Sequence, residues 1–176
     1  MEKKALFVYG KRGKNDNLRS FQRNTDKNLE LMREIANFQG YSVEQTPLES
    51  INDFLTIQNY TNKDFLFYFT GHANRRYLGG RSFVTNDILK KISEFNGKNI
   101  IVLDCCAGDY KGGEGFEALN IPKNSRIIGA REVFDNKSLA RILYDIVMLR
   151  KNNLDSINKG IFEEIKHNWI YFMKTA

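Results

Sequence analysis

Two short apolar runs end on residues that can do chemistry. FLFYFTGHA (Phe65–Ala73) stops at His72, and IIVLDCCAG (Ile100–Gly108) stops at Cys105 and Cys106. The chain holds only two histidines and two cysteines, so one His and both Cys sit at these two ends. A thiol attacks a carbonyl only as thiolate, which needs a basic or cationic neighbour in a partly open site. An imidazole takes the thiol proton and later protonates the leaving amine. Backbone N–H groups must also face the oxygen that turns negative, and losing one costs on the order of 3 kcal/mol in barrier height. Gly71 and Ala73 flank the histidine and Ala107-Gly108 follow the cysteines, small residues that let the main chain approach a carbonyl. Alone, either residue reads as a hydrogen-bonded loop histidine or an inert buried thiol. At the ends of neighbouring strands they read as a His–Cys pair.

Zinc fits this set poorly. His167 is the only further side chain of that kind, and adjacent cysteines point in different directions. Their α-carbons, about 3.8 Å apart, also preclude an unstrained disulfide.

The elements that must position these residues follow from hydrophobic periodicity. Lys4–Tyr9 is a continuous apolar run ended by Gly10. Leu29, Met32, Ile35, Ala36 and Phe38 recur at helical spacing within Leu18–Phe38, with Gly40 as the stop. Tyr41–Thr46 alternates like a strand, and Ser50–Tyr60 predicts a second helix. Asp64–Thr70 and Asn99–Asp104 are apolar without alternation, as strands covered on both faces must be. Between them, Tyr77–Val84 reads as a hairpin around Gly79-Gly80, and a helix capped by Thr85 or Asn86 runs to Phe95. Beyond the Gly-rich loop Ala107–Gly115 come a helical piece to Leu119, a strand at Arg126–Ala130 and helices over Ser138–Lys151 and Leu154–Lys166. The tail His167–Ala176 suits either a strand or a helix. Strand and helix alternate throughout, so residues 1–176 predict one α/β domain, a three-layer sandwich with a mostly parallel sheet of about six strands and helices on both faces. Ligands meet such sheets at the carboxyl ends of the strands, where His72 and the cysteines fall.

Composition excludes several classes. A hydrophobic content of 41% rules out a disordered chain. The net charge of +6 comes from scattered Lys and Arg, which argues for solvated surface and against a nucleic-acid face. The apolar run after Met1-Glu2-Lys3-Lys4 is too short for an export segment and nothing approaches a membrane span, so free thiols imply a reducing cytoplasm.

The two opening stretches together resemble the caspase-like cysteine peptidases, the group of caspases, metacaspases and paracaspases. The family pattern is an apolar strand ending in Ser/Thr/Gly-His-Gly, then one ending in Asp/Gln/Glu-x-Cys-x-Gly. Against the caspase signature Q-A-C-[RQG]-G, this chain reads Asp104-Cys105-Cys106-Ala107-Gly108. The resemblance extends to Asn28–Val43 and Ser138–Val147 and spans nearly the whole chain. It implies a thiol protease that hydrolyses peptide bonds in protein substrates, with His72 and Cys106 as catalytic dyad and Cys105 as buried filler. It implies an oxyanion hole from the backbone N–H groups of Ala73 and Cys106. Asp104 would line the pocket for the side chain before the scissile bond, with Asp26 or Glu132 as a second acidic wall. Metacaspases and paracaspases with Asp at that position cut after Arg or Lys. The plain alternative for Asp104 is a cap on the following turn. Arg23 lies near a family Asp-binding arginine and would offset that charge.

Ala73 stands where the family has Gly, Ala107 where caspases have Arg, Gln or Gly, and the His-to-Cys spacing is shorter than the roughly fifty residues of the signature. Lys111 and Lys123 are candidate autocleavage points. No resident cofactor or metal is expected, calcium activation and a regulatory protein partner are left open, and no membrane partner is expected. Two rival readings remain: an inactive caspase-fold scaffold for protein partners, and a flavodoxin-like phosphate or nucleotide binder using Gly10–Lys14, which matches neither phosphate-loop motif.

Overall fold

Strands that are apolar on both faces can be stable only between two helical layers, and the computed structural model of the chain has that arrangement. It describes residues 1–73, 76–79, 83–105, 119–130, 138–167 and 169–175. The strands are β1 (Lys3–Tyr9), β2 (Ser42–Pro47), β3 (Asp64–Gly71), β4 (Tyr77–Leu78), β5 (Phe83–Val84), β6 (Asn99–Cys105), β7 (Ser125–Ala130) and β8 (Ile170–Lys174). The helices are α1 (Leu18–Phe38), α2 (Ile51–Phe54), α3 (Ile57–Tyr60), α4 (Thr85–Ile92), α5 (Leu139–Tyr144) and α6 (Lys159–Glu164). Six strands form one sheet in the order β2-β1-β3-β6-β7-β8, parallel except for β8, and β4 and β5 pair separately as a short antiparallel hairpin.

Successive side chains of each central strand enter opposite cores. Ala5, Phe7, Leu66, Tyr68, Ile100 and Val102 pack under α1, α5 and α6. Leu6, Val8, Phe65, Phe67, Phe69, Ile101 and Leu103 pack against α2, α3 and α4. Fully burying one such side chain is worth about 1.5–3 kcal/mol, so the sheet centre anchors the molecule. Among the described residues no helix is long and apolar enough to cross a membrane.

Two of the expected helices are broken, and the tail, which suited either a strand or a helix, is resolved. The single helix expected over Ser50–Tyr60 breaks at Leu55 and Thr56, where Thr56 is extended. On a straight helix Tyr60 would lie half a turn away from Ile51. The break turns Ile51, Leu55 and Tyr60 all into the core. The helix expected over Leu154–Lys166 is likewise split into a 3₁₀ turn at Leu154–Ser156 and α6, because Asn153 and Asn158 each cap a new start. The tail is a strand, β8, antiparallel to β7.

Candidate active site

Register places the rim. Thr70 of β3 pairs with Tyr9 of β1 on one side and Asp104 of β6 on the other, and Gly71 pairs with Cys105. The Gly10 N–H donates to the Thr70 carbonyl at 2.9 Å, extending the β1–β3 zip by one residue. His72 therefore emerges beside the loop that leaves β1 and directly after the partner of Cys105. Cys106 lies outside the described residues; the residue before it is held opposite the residue before His72.

Gly71 makes this exit fit. Its φ is +147°, and a Cβ there would lie 3.0 Å from both the N and the Cα of Gly10. Gly71→Ala is expected to cost about 2–3 kcal/mol and to displace His72. Denaturant melts would check the first effect, and an unchanged melting midpoint would contradict this account of the exit.

The His72 backbone is pinned by the hairpin. Its carbonyl accepts the Gly79 N–H at 2.7 Å, and Ala73 faces Leu78 in an isolated antiparallel bridge. In that arrangement Ala73 is the non-hydrogen-bonded partner, so its own N–H points away from the hairpin.

The imidazole is held from the β1 side. Its Nε2 is 2.5 Å from Asp16 Oδ2, and its ring stacks on Phe21 with centroids 5.6 Å apart and planes 16° apart. Phe21 is in the first turn of α1, which Asn17 caps by accepting the Ser20 N–H. Asp16 Oδ2 also accepts the Gly13 N–H at 2.5 Å, while the Arg12 guanidinium donates to the Asp16 carbonyl at 3.0 Å. The hydrogen bond to His72, and then that from Gly13, hold the Asp16 carboxyl below the usual carboxylate range. The His72 side chain is 45% exposed, so a substrate can reach it. Among the described residues nothing bonds its Nδ1.

Asp16 was not singled out in the sequence. The available signal was topological: it lies in the loop leaving β1, the strand next to β3. The same geometry bears on the phosphate-loop reading, because the Gly13 N–H is directed at an internal carboxylate and Lys11 pairs with Glu49.

The remaining candidates are placed as follows. Cys105 is 7% exposed and belongs to the apolar cluster that includes residues of α2, α3 and α4. Asp104 points to the opposite face of β6. Its Oδ1 accepts the Leu139 N–H at 2.9 Å, and its Oδ2 accepts the Ala140 N–H at 3.0 Å and the Tyr68 hydroxyl at 2.8 Å. The carboxylate expected in a substrate pocket thus ties β6 to the first turn of α5, whose N–H groups have no partner within the helix. Asp26 does not join His72: it lies exposed on the outer side of α1, accepts from Gln22, and shares a shallow groove with Arg23. Five helical residues separate it from Phe21, a rotation of about 140°. Arg23 has no described contact with Asp104. Glu132 and Lys111 lie outside the described residues, and Lys123 is exposed in the turn before β7. His167 follows α6, where its Nδ1 accepts the Trp169 indole N–H at 3.2 Å. Among the described residues no three His, Cys, Asp or Glu side chains are grouped to hold a metal ion.

Asp104→Ala would leave three enclosed donors without an acceptor, an expected loss of about 2–4 kcal/mol. Burial, opposed by these donors, raises the Asp104 pKa. The folded state therefore holds this proton more tightly than the unfolded chain. Its linked contribution falls as pH rises from the ordinary carboxylate range to the raised value, then stays level. Thermal melts of wild type and Asp104→Asn across acidic pH should show that falling difference; a rising one would reverse the assignment.

Known structures share this architecture. The chain superposes on a crystal structure of caspase-1 from Spodoptera frugiperda with a TM-score of 0.61 at 11% identity, covering 99% of this chain and 89% of that one. A structure of pro-sf-caspase-1 gives a TM-score of 0.53 at 13% identity over 84% of this chain and 73% of that one. No family model and no curated protein matches the sequence. At these identities the likeness speaks to the fold alone, and that fold is caspase-like.

Proposed function

We propose that the protein is a cytoplasmic cysteine endopeptidase in which His72 and Cys106 form the catalytic pair. One observation carries the reading: β3–β6 register sets Gly71 opposite Cys105, so an exposed imidazole, its Nδ1 unengaged among the described residues, follows one strand and in sequence Cys106 follows the other. The thiol proton passes to the imidazole, the thiolate attacks the peptide carbonyl, and the Ala73 and Cys106 N–H groups receive the oxyanion. The imidazolium then protonates the leaving amine, and water releases the acyl group from sulfur. Proteins or peptides are the substrates, and the caspase-like scaffold supports that class.

The residue before the scissile bond is inferred to be Arg or Lys. Asp104 supports this with its charge more than with hydrogen bonds. Among the described residues three of its roughly four acceptor positions are taken, which leaves one for a substrate cation.

The test pairs turnover with labelling. Fluorogenic peptides ending in Arg, Lys or Asp are assayed with and without calcium, and an arginyl electrophile is mapped to the sulfur it modifies. Turnover of Arg and Lys peptides with the adduct on Cys106 is the expected result. No turnover on any peptide and no adduct would leave a caspase-fold scaffold for protein partners. Turnover of Asp peptides alone would overturn the specificity while keeping the dyad.

A further inference from the structure

We propose that Asp16 is a positioning residue of this site, fixing His72 as the Nε2–H tautomer and thereby assigning Nδ1 as the atom that takes the thiol proton. The inference rests on the peptidase reading for what Nδ1 does, but the tautomer assignment stands apart from it.

A neutral imidazole carries one proton, and the nitrogen that keeps it is set by the partner of the other. Here Nε2 faces a carboxylate oxygen at 2.5 Å, and an ionised carboxylate can only accept. The proton of neutral His72 therefore resides on Nε2, and the lone pair is on Nδ1. The site builds this contact from three sides. The Gly13 N–H holds the same Asp16 oxygen, the Arg12 guanidinium holds the Asp16 backbone, and Phe21 covers a face of the ring. A Cβ on Gly13 would lie 3.2 Å from Asp16 Oδ2 and 3.4 Å from His72 Nε2, so the loop is wrapped tightly about the pair.

Orientation is the first consequence. A ring bonded at Nε2 and stacked on Phe21 cannot rotate freely, and Nδ1 stays at the rim. Charge is the second. When the proton leaves sulfur for Nδ1, the ring becomes an imidazolium, and Asp16, ionised throughout, stabilises it without accepting a proton itself. The same proton then leaves Nδ1 for the departing amine, returning the ring to its starting tautomer.

The ¹⁵N ring signals of His72 read the assignment without substrate. With only two histidines in the chain, His167→Gln identifies them. In wild type, neutral His72 is expected to show a protonated Nε2 and a bare Nδ1. A bare Nε2, or the tautomer mixture of free imidazole, would overturn the proposal whether or not the protein cleaves peptides. Asp16→Ala is expected to shift the ring toward that mixture and to lower kcat by on the order of 10²–10⁴ with KM changed less than about threefold. If alanine unfolds the loop, Asp16→Asn offers an oxygen to both Gly13 and Nε2 while removing the charge, and kcat is expected to fall at least about tenfold at unchanged melting temperature. Turnover and ring signals unchanged in both variants would reduce Asp16 to a loop brace.

Discussion

Alanine at Cys106 is expected to remove peptide hydrolysis, alanine at His72 to reduce it by on the order of 10⁴–10⁶, and alanine at Cys105 to leave kcat within a few-fold. The asymmetry between adjacent cysteines has a structural origin. Cys105 is the last residue of β6, and its side chain is part of the hydrophobic core on the α2–α4 side of the sheet. The alternation of β6 turns Cys105 to the same apolar face as Ile101 and Leu103. A sulfur packed among Leu103 and Phe69 gains nothing as a nucleophile, since burial in apolar surroundings disfavours the thiolate. Cys105→Ala should instead appear as a modest loss of stability from the small cavity. On the proposed mechanism His72→Ala removes the proton acceptor, while the hairpin bond to the His72 backbone stays intact. Its effect should fall on kcat, with melting temperature nearly unchanged. Initial rates of the four proteins on one fluorogenic peptide make the comparison. Activity lost with Cys105 and kept without Cys106 would invert the assignment.

The second large effect lies at the opposite end of the sheet. Gly97→Ala is expected to destabilise the fold by about 4 kcal/mol or more. A Cβ at this position would sit 1.9 Å from the Lys63 carbonyl oxygen and 2.6 Å from its carbon, and both obstacles are backbone. The clash cannot be relieved by a rotamer change. It requires the turn before β6 to move away from the turn before β3. Those turns are bonded to each other: the Asn62 N–H and Asn96 Oδ1 meet at 2.7 Å, Asn96 Nδ2 reaches Asn62 Oδ1 at 2.7 Å, and the Phe65 N–H reaches the Lys98 carbonyl at 2.8 Å. They start the β3–β6 register that ends at Gly71 and Cys105. A slip of one residue would exchange the faces of Asp104 and Cys105, placing a carboxylate in the apolar core. Chemical denaturation should show the loss as a lower midpoint at unchanged slope, accompanied by lost turnover. Near-wild-type stability would mean that the two turns are not packed as described.

The architecture was legible because periodicity reports burial. Phe65–Phe69 and Ile100–Leu103 have no polar residue on either face, and a chain can satisfy that only in the middle of a covered parallel sheet. Ser50–Tyr60 misled for the same reason: apolar spacing says which residues are buried, but the break at Leu55 that buries Tyr60 too depends on where the neighbouring core lies. The ambiguity of the tail was settled by an open edge on β7 that β8 could fill.

By itself, the sequence determined the α/β layering and the fact that His72 and the Cys105-Cys106 pair close two buried strands. Only the tertiary structure decided what His72 touches and where Asp104 turns. Asp16 lies 56 residues before His72 and becomes its partner because β1 and β3 are neighbours in the sheet. Asp104 turns inward because the first N–H groups of α5 lie unpaired beside its strand. Periodicity is a local property of the chain, whereas the direction of a polar side chain at a strand end is set by whichever donor or acceptor a distant segment leaves unsatisfied there.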